Sequence, residues 1–101
     1  MKKAKKKKLP SRIDGLEVKH RSNDHLPHHF HVYKKGEWEI RVYFLITNES
    51  NLQYDFKWNK SKKGLTRTEI EKIISYALKH RIELIENWDI NHANETNAKE
   101  E

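Results

Sequence analysis

The chain has 101 residues, no cysteine, 36% charged residues and a formal net charge of +6. This length allows one domain with a modest core, and the lack of cysteine excludes a disulfide framework, a thiolate zinc site and a cysteine nucleophile. No apolar run approaches the roughly 20 residues of a membrane span, so a cytoplasmic protein with no membrane partner is expected.

Lys2, Lys3, Lys5, Lys6, Lys7 and Lys8 open the chain, and without them 15 Lys+Arg face 15 Asp+Glu. The excess charge is therefore a property of one end. Residues 1–12 read as a disordered Lys-rich tail, without the hydrophobic region of a signal peptide. Such a tail attracts phosphate backbones without sequence preference and cannot alone make a specific nucleic-acid reader. A single domain is expected over residues 13–90, and residues 91–101 read as a second disordered polar tail.

Within the domain, Leu16 to Arg21 alternates with period two, as a half-buried strand does. A turn from Ser22 to His28 leads into the strand His29-Phe30-His31-Val32-Tyr33. Lys34-Lys35-Gly36-Glu37 reads as a hairpin loop. Trp38 to Phe44 is the longest alternation, with Trp38, Ile40, Val42 and Phe44 on one face. After the turn Thr47 to Asn51, Leu52 to Trp58 alternates again. Short connections of this kind favour an antiparallel meander.

Thr66-Arg67-Thr68-Glu69 fits a capping box at a helix start, flanked by Leu65 and Ile70. At 100° per residue, Ile70, Ile73, Ile74, Ala77, Leu78, Leu84, Ile85 and Trp88 share one stripe. The pattern predicts an α+β fold: a four-stranded, mostly antiparallel sheet with one long C-terminal helix packed on one face. Arg81 falls inside the apolar stripe, where an unpaired guanidinium is costly, so it should snorkel out or meet a carboxylate.

Four of the seven histidines lie in the window His25-Leu26-Pro27-His28-His29-Phe30-His31, with Asp24 directly before it. Imidazole binds metals and moves protons near neutral pH. Strand parity places His29 and His31 on the face opposite Phe30 and Val32. With the helix on the Phe30/Val32 face, the histidines should stand on an open face beside Glu39, Arg41, Tyr43, Gln53, Asp55 and Lys57. Asp24 or His25 should lie within reach of one imidazole and orient its second nitrogen. Asp24, His25, His29 and His31 are the candidate catalytic residues. One His as base and another as acid, with a cation near the phosphate, is enough to cleave RNA through its own 2′-hydroxyl.

A divalent metal needs more ligands than His29 and His31 supply, and the spacing matches no standard zinc motif. No metal or other cofactor is therefore expected. Arg41, Lys57, Lys60, Lys62 and Lys63 are the candidate nucleic-acid contacts. The last four belong to a basic loop with an aromatic, Lys57 to Gly64, that leads into the helix N-terminus and offers a phosphate seat.

The run Asp24-His25-Leu26-Pro27-His28-His29-Phe30-His31-Val32 resembles the Asp-His-x-Pro-Pro-His-Phe-His-Val signature of a family of small bacterial domains of unknown function, number 4160 in that series. His80-Arg81-Ile82-Glu83-Leu84-Ile85-Glu86-Asn87-Trp88 is similar to that family's closing block. His28 departs from the pattern, standing where the family has its second proline. So do a longer stretch from Glu37 to Lys63 and the lysine tail. The resemblance implies a toxin–antitoxin setting with a cognate small antitoxin-like protein as partner, and implies no chemistry. Two readings stay open. One is a toxin-like component acting on RNA or the translation machinery through the His-rich site. The other is a non-enzymatic module binding nucleic acid or protein through the open sheet face and Lys tail.

Overall fold

The structure, a computed structural model, describes residues 9–20 and 28–89. Its sheet is an antiparallel meander in chain order: β1 Arg12–Ile13, β2 Leu16–Lys19, β3 Phe30–Lys34, β4 Trp38–Val42 and β5 Tyr54–Asn59. Two helices follow, α1 at Arg67–Lys79 and α2 at residues 81–89. The α+β class and the meander are as expected, but there are five strands rather than four and two helices rather than one.

The additional strand comes from Asp14-Gly15, a two-residue turn whose flanking residues pair as Ile13↔Leu16 and Arg12↔Glu17. Gly15 has φ +85°, which a side chain disfavours and which a tight hairpin of this hand requires. Residues 9–12 also take part in the fold. Leu9 packs against the core, the Ser11 carbonyl accepts from the Val18 N–H at 2.8 Å, and the Pro10 carbonyl accepts from the Tyr76 hydroxyl at 2.7 Å. Burial pushes the Tyr76 phenol well above its ordinary pKa, so the donor stays protonated.

One face of the sheet builds the core. Leu16, Val18, Phe30, Val32, Trp38, Ile40, Val42 and Phe44 are all buried there, with Ile73, Ile74, Tyr76 and Ala77 of α1 and Leu84 and Trp88 of α2. The expected pairing of the helical stripe with the Phe30/Val32 face is thus present, carried for example by Phe30 against Tyr76, ring centroids 5.4 Å apart. The α1 start is the expected capping box: Glu69 N–H donates to Thr66 Oγ1 at 3.1 Å and Thr66 N–H to Glu69 Oε1 at 2.9 Å.

The helical stretch breaks at His80, whose φ −109° and ψ 18° leave the helical region. No glycine or proline causes it. The next residue is Arg81, the charge in the apolar stripe. Its guanidinium, half-buried, donates through Nη2 to the Thr47 carbonyl. Thr47 is 1% exposed; its hydroxyl donates to the Tyr43 carbonyl at 3.1 Å and accepts the Gln53 N–H at 3.1 Å. One buried threonine therefore joins the ends of β4 and β5 to the start of α2.

The capping box makes Thr66→Ala cost about 1 kcal/mol of stability in urea unfolding, with Thr66→Ser close to the parent. A second expectation concerns acid. Burial pushes the Glu69 carboxyl up, but the Lys34 ammonium at 2.8 Å and the Thr66 N–H together outweigh it and hold the carboxyl below its ordinary 4.5. Its contribution is complete above that ordinary range and is lost as the pH falls through the lowered folded value. Lys34→Met should therefore shrink the loss of urea midpoint between about pH 6 and about pH 3, because part of that loss comes from the pair.

Candidate functional site

The polar face of the sheet is set by strand pairing. β3 and β4 align His31 with Arg41 and Tyr33 with Glu39, so Glu39 lies diagonal to His31 on the same face. His31 Nδ1 is 3.1 Å from Glu39 Oε2, with the imidazole 3% and the carboxylate 8% exposed as side chains. The other Glu39 oxygen accepts from Trp58 Nε1 at 3.3 Å, and Lys57 Nζ stands 3.9 Å from Oε2. A buried carboxylate thus gathers an imidazole, an indole N–H and an ammonium.

His29 and His31 stand side by side as parity requires, rings edge-on at 5.1 Å. The His29 ring also lies 5.7 Å from Tyr43 and 5.6 Å from Trp88 of α2. The face around the pair is not open. His29 is 8% and His31 2% exposed, so the expectation of solvent-facing histidines is corrected. The rings of Tyr43, one residue past β4, and of Trp88 in α2 crowd the pair, although α1 lies on the opposite face.

Next to the pair, Arg41 Nη1 donates to Asp55 Oδ1 at 3.0 Å and the Tyr43 hydroxyl to Asp55 Oδ2 at 2.8 Å. Partial burial, and then the Asp55 carboxylate, push the Tyr43 phenol above its ordinary range. Tyr43 is therefore a hydrogen-bond donor at neutral pH and no base.

β5 carries the cations. Its register against β4 slips between Glu39 and Ile40, where Trp58 and Phe56 are the successive partners, leaving Lys57 as the extra residue of a bulge. The bulge puts Lys57 and Trp58 together beside Glu39. Lys60 Nζ stands 5.8 Å above the Trp58 ring, so the basic loop joins the same corner. Lys62 and Lys63 are exposed in the turn that follows, where Ser61 Oγ accepts the Lys63 and Gly64 N–H groups, each at 3.2 Å.

Of the residues singled out by sequence, the structure brings His29, His31, Arg41, Lys57 and Lys60 to one face. It does not bring Lys62 and Lys63 into contact with the histidines. Asp24 and His25 lie outside the described residues. His28, on the other parity, stacks on Trp88 at 4.8 Å and meets Phe44 edge-on at 6.1 Å.

Sequence reasoning missed Glu39 as the orienting carboxylate, although it stood on the expected face. Its signal was the diagonal cross-strand relation, which becomes readable only with the β3–β4 register. Trp88 was assigned wholly to the core, and its contact with His29 had no signal in periodicity. No group of three or more His, Asp or Glu among the described residues is arranged to hold a metal ion.

Comparison with protein-family models, curated proteins and solved structures gives no match for this chain. The family resemblance therefore rests on its two sequence blocks.

Removing one partner of a buried charged cluster strands the others. Glu39→Ala should cost about 3 kcal/mol in urea unfolding, whereas Glu39→Gln, which keeps an acceptor for the Trp58 indole, should lose clearly less. The two variants unfolding alike would contradict the cluster described here.

Proposed function

We propose that this chain is the toxin-like component of a bacterial two-protein module, acting on RNA or the RNA-bearing translation machinery, with a small antitoxin-like protein as its partner. The observation that carries the RNA part is the clustering of Arg41, Lys57, Lys60 and the Trp58 ring on the face that holds His29 and His31. Phosphates are attracted by such cations, and a base stacks on an indole. The toxin–antitoxin part is supported by the resemblance of the histidine window and the closing helix block. The Glu39–His31 pair sets a carboxylate 3.1 Å from one imidazole nitrogen, the juxtaposition that acid/base chemistry uses to tune a histidine. Such a site is a metal-independent ribonuclease in outline, with His29 and His31 as the proton carriers and Arg41 or Lys57 at the phosphate.

The second reading, a binding module without catalysis, is favoured by a specific observation: both imidazoles are less than a tenth exposed. In that reading His31 and Glu39 are a structural pair and the cations alone meet the nucleic acid.

Induced expression in bacteria separates the two. The toxin reading expects growth arrest, relieved by Arg41→Gln/Lys57→Gln. Growth unaffected by the parent chain would overturn it. His29→Gln and His31→Gln, checked for folding by circular dichroism, then divide the mechanisms. Loss of arrest in folded variants identifies catalysis, and retained arrest identifies binding. In parallel, each lost phosphate contact should weaken RNA binding about equally for all sequences and lower the log–log salt slope by about one unit.

A further inference from the structure

We propose that the outer edge of β5 is a docking site for an extended, acidic strand of a partner protein, which adds to the sheet as a sixth strand. This goes beyond the RNA reading: it shares Lys57 and Lys60 with that reading and adds main-chain direction and the bulge.

β5 is the last strand of the sheet, six residues long, with β4 its one neighbour. The hydrogen bonds that bracket it fix which main-chain groups face inward. The Tyr43 N–H donates to the Gln53 carbonyl at 2.9 Å, and the Lys60 N–H to the Glu37 carbonyl at 2.7 Å. Alternation from Gln53 turns Asp55 inward and leaves the N–H and C=O groups of Tyr54 and Phe56 facing out. Alternation from Lys60 turns Trp58 inward and Asn59 out. These two alternations disagree by one residue, and Lys57 in the bulge absorbs the difference. Among the described residues nothing pairs with this outer row.

The side chains along the edge state what kind of strand fits. Phe56 and Tyr54 lie opposite Ile40 and Val42, on the helix side of the sheet, with their rings edge-on at 5.7 Å. Phe56 is 36% exposed. Its ring sits over Gly64, where an added Cβ would lie in ordinary van der Waals contact at 3.5 Å, at the end of the basic loop. On the other face stand Lys57, 36% exposed as a side chain, and then Lys60. Asp55, the one acid of β5, is already neutralised by Arg41 and Tyr43.

An incoming strand that alternates apolar and acidic residues would place its apolar side chains on Phe56 and Tyr54. Its carboxylates would fall at Lys57 and Lys60. A second copy of β5 brings Lys57 again and only one acid, Asp55, which Arg41 and Tyr43 already hold, so it offers this edge fewer free carboxylates than an acidic strand does. The charge along the edge therefore favours an acidic strand.

The test uses the full chain and a synthetic twelve-residue peptide alternating Glu with Val, followed by nuclear magnetic resonance and amide hydrogen exchange. The expected result is slowed exchange at Tyr54, Phe56 and Asn59, with binding at least about tenfold stronger than for the matching Lys/Val peptide. Phe56→Pro removes an N–H that β4 does not use, so the sheet should persist by circular dichroism while binding falls by about tenfold or more. Phe56→Val keeps the N–H and should bind within a few-fold of the parent, which separates main-chain pairing from the ring. Three outcomes would each overturn the proposal: no binding of the acidic peptide, equal binding by a folded Phe56→Pro chain, or an oligouridylate RNA protecting the same three amides. The last would assign this edge to nucleic acid instead.

Discussion

The Glu39 carboxylate is the group on which the organisation of this face depends. β4 is buried on both sides: Trp38, Ile40 and Val42 fill the core, and Glu39 lies under the polar face at 6% exposure. A carboxylate there is expensive unless it is paired and hydrogen-bonded. It recruits donors from both neighbouring strands, His31 on β3 and Trp58 with Lys57 on β5. The bulge in β5 follows the same logic. Without the extra residue, Lys57 would occupy the register opposite Glu39 and Trp58 would turn to the other face. With it, an indole N–H and an ammonium both reach one carboxylate.

A second constraint comes from Arg81. A continuous helix would carry a guanidinium along the apolar stripe into the core. Instead the chain leaves helical geometry at His80, and Arg81 opens α2 with Nη2 on the Thr47 carbonyl. The break re-aims α2, so that Leu84 still reaches the core while Trp88 lies against His28 and His29. Burial of the histidine pair and the interruption of the helix are in this sense connected. The ring that crowds His29 is delivered by a helix whose direction Arg81 and Thr47 set.

Period-two and 3.6 patterns are local, and they were legible: β2 to β5, the capping box, and the face each strand side chain takes could be read from Leu16 to Phe56, but not at Trp58, which the bulge at Lys57 turns to the polar face. The hairpin of β1 was also written in the chain, as Asp14-Gly15, but two residues of strand carry no alternation to find. The break at His80 was not legible because neither glycine nor proline marks it. The group that Arg81 meets at the break, the Thr47 carbonyl, lies 34 residues away in the chain. The depth of His29 and His31 was invisible for a similar reason. Parity tells which face a residue takes, but what covers that face depends on where α2 ends.

The same distinction bears on how this sheet can meet another molecule. At β3 and β4 both faces are filled, so an incoming chain finds side chains that already have partners. Access improves toward β5, where four of six residues are exposed and the cations follow one another through Lys57 and Lys60. A ligand drawn by charge reaches β5 before it reaches the histidines. On the proposed RNA reading, cleavage at His31 would therefore require the crowding by Tyr43 and Trp88 to relax when RNA binds, whereas binding at Arg41 and Lys57 would exchange only their part-exposed pairings with Asp55 and Glu39. Recognition on that reading falls to Arg41, Lys57 and Lys60 on the polar face, and chemistry to the buried pair behind them.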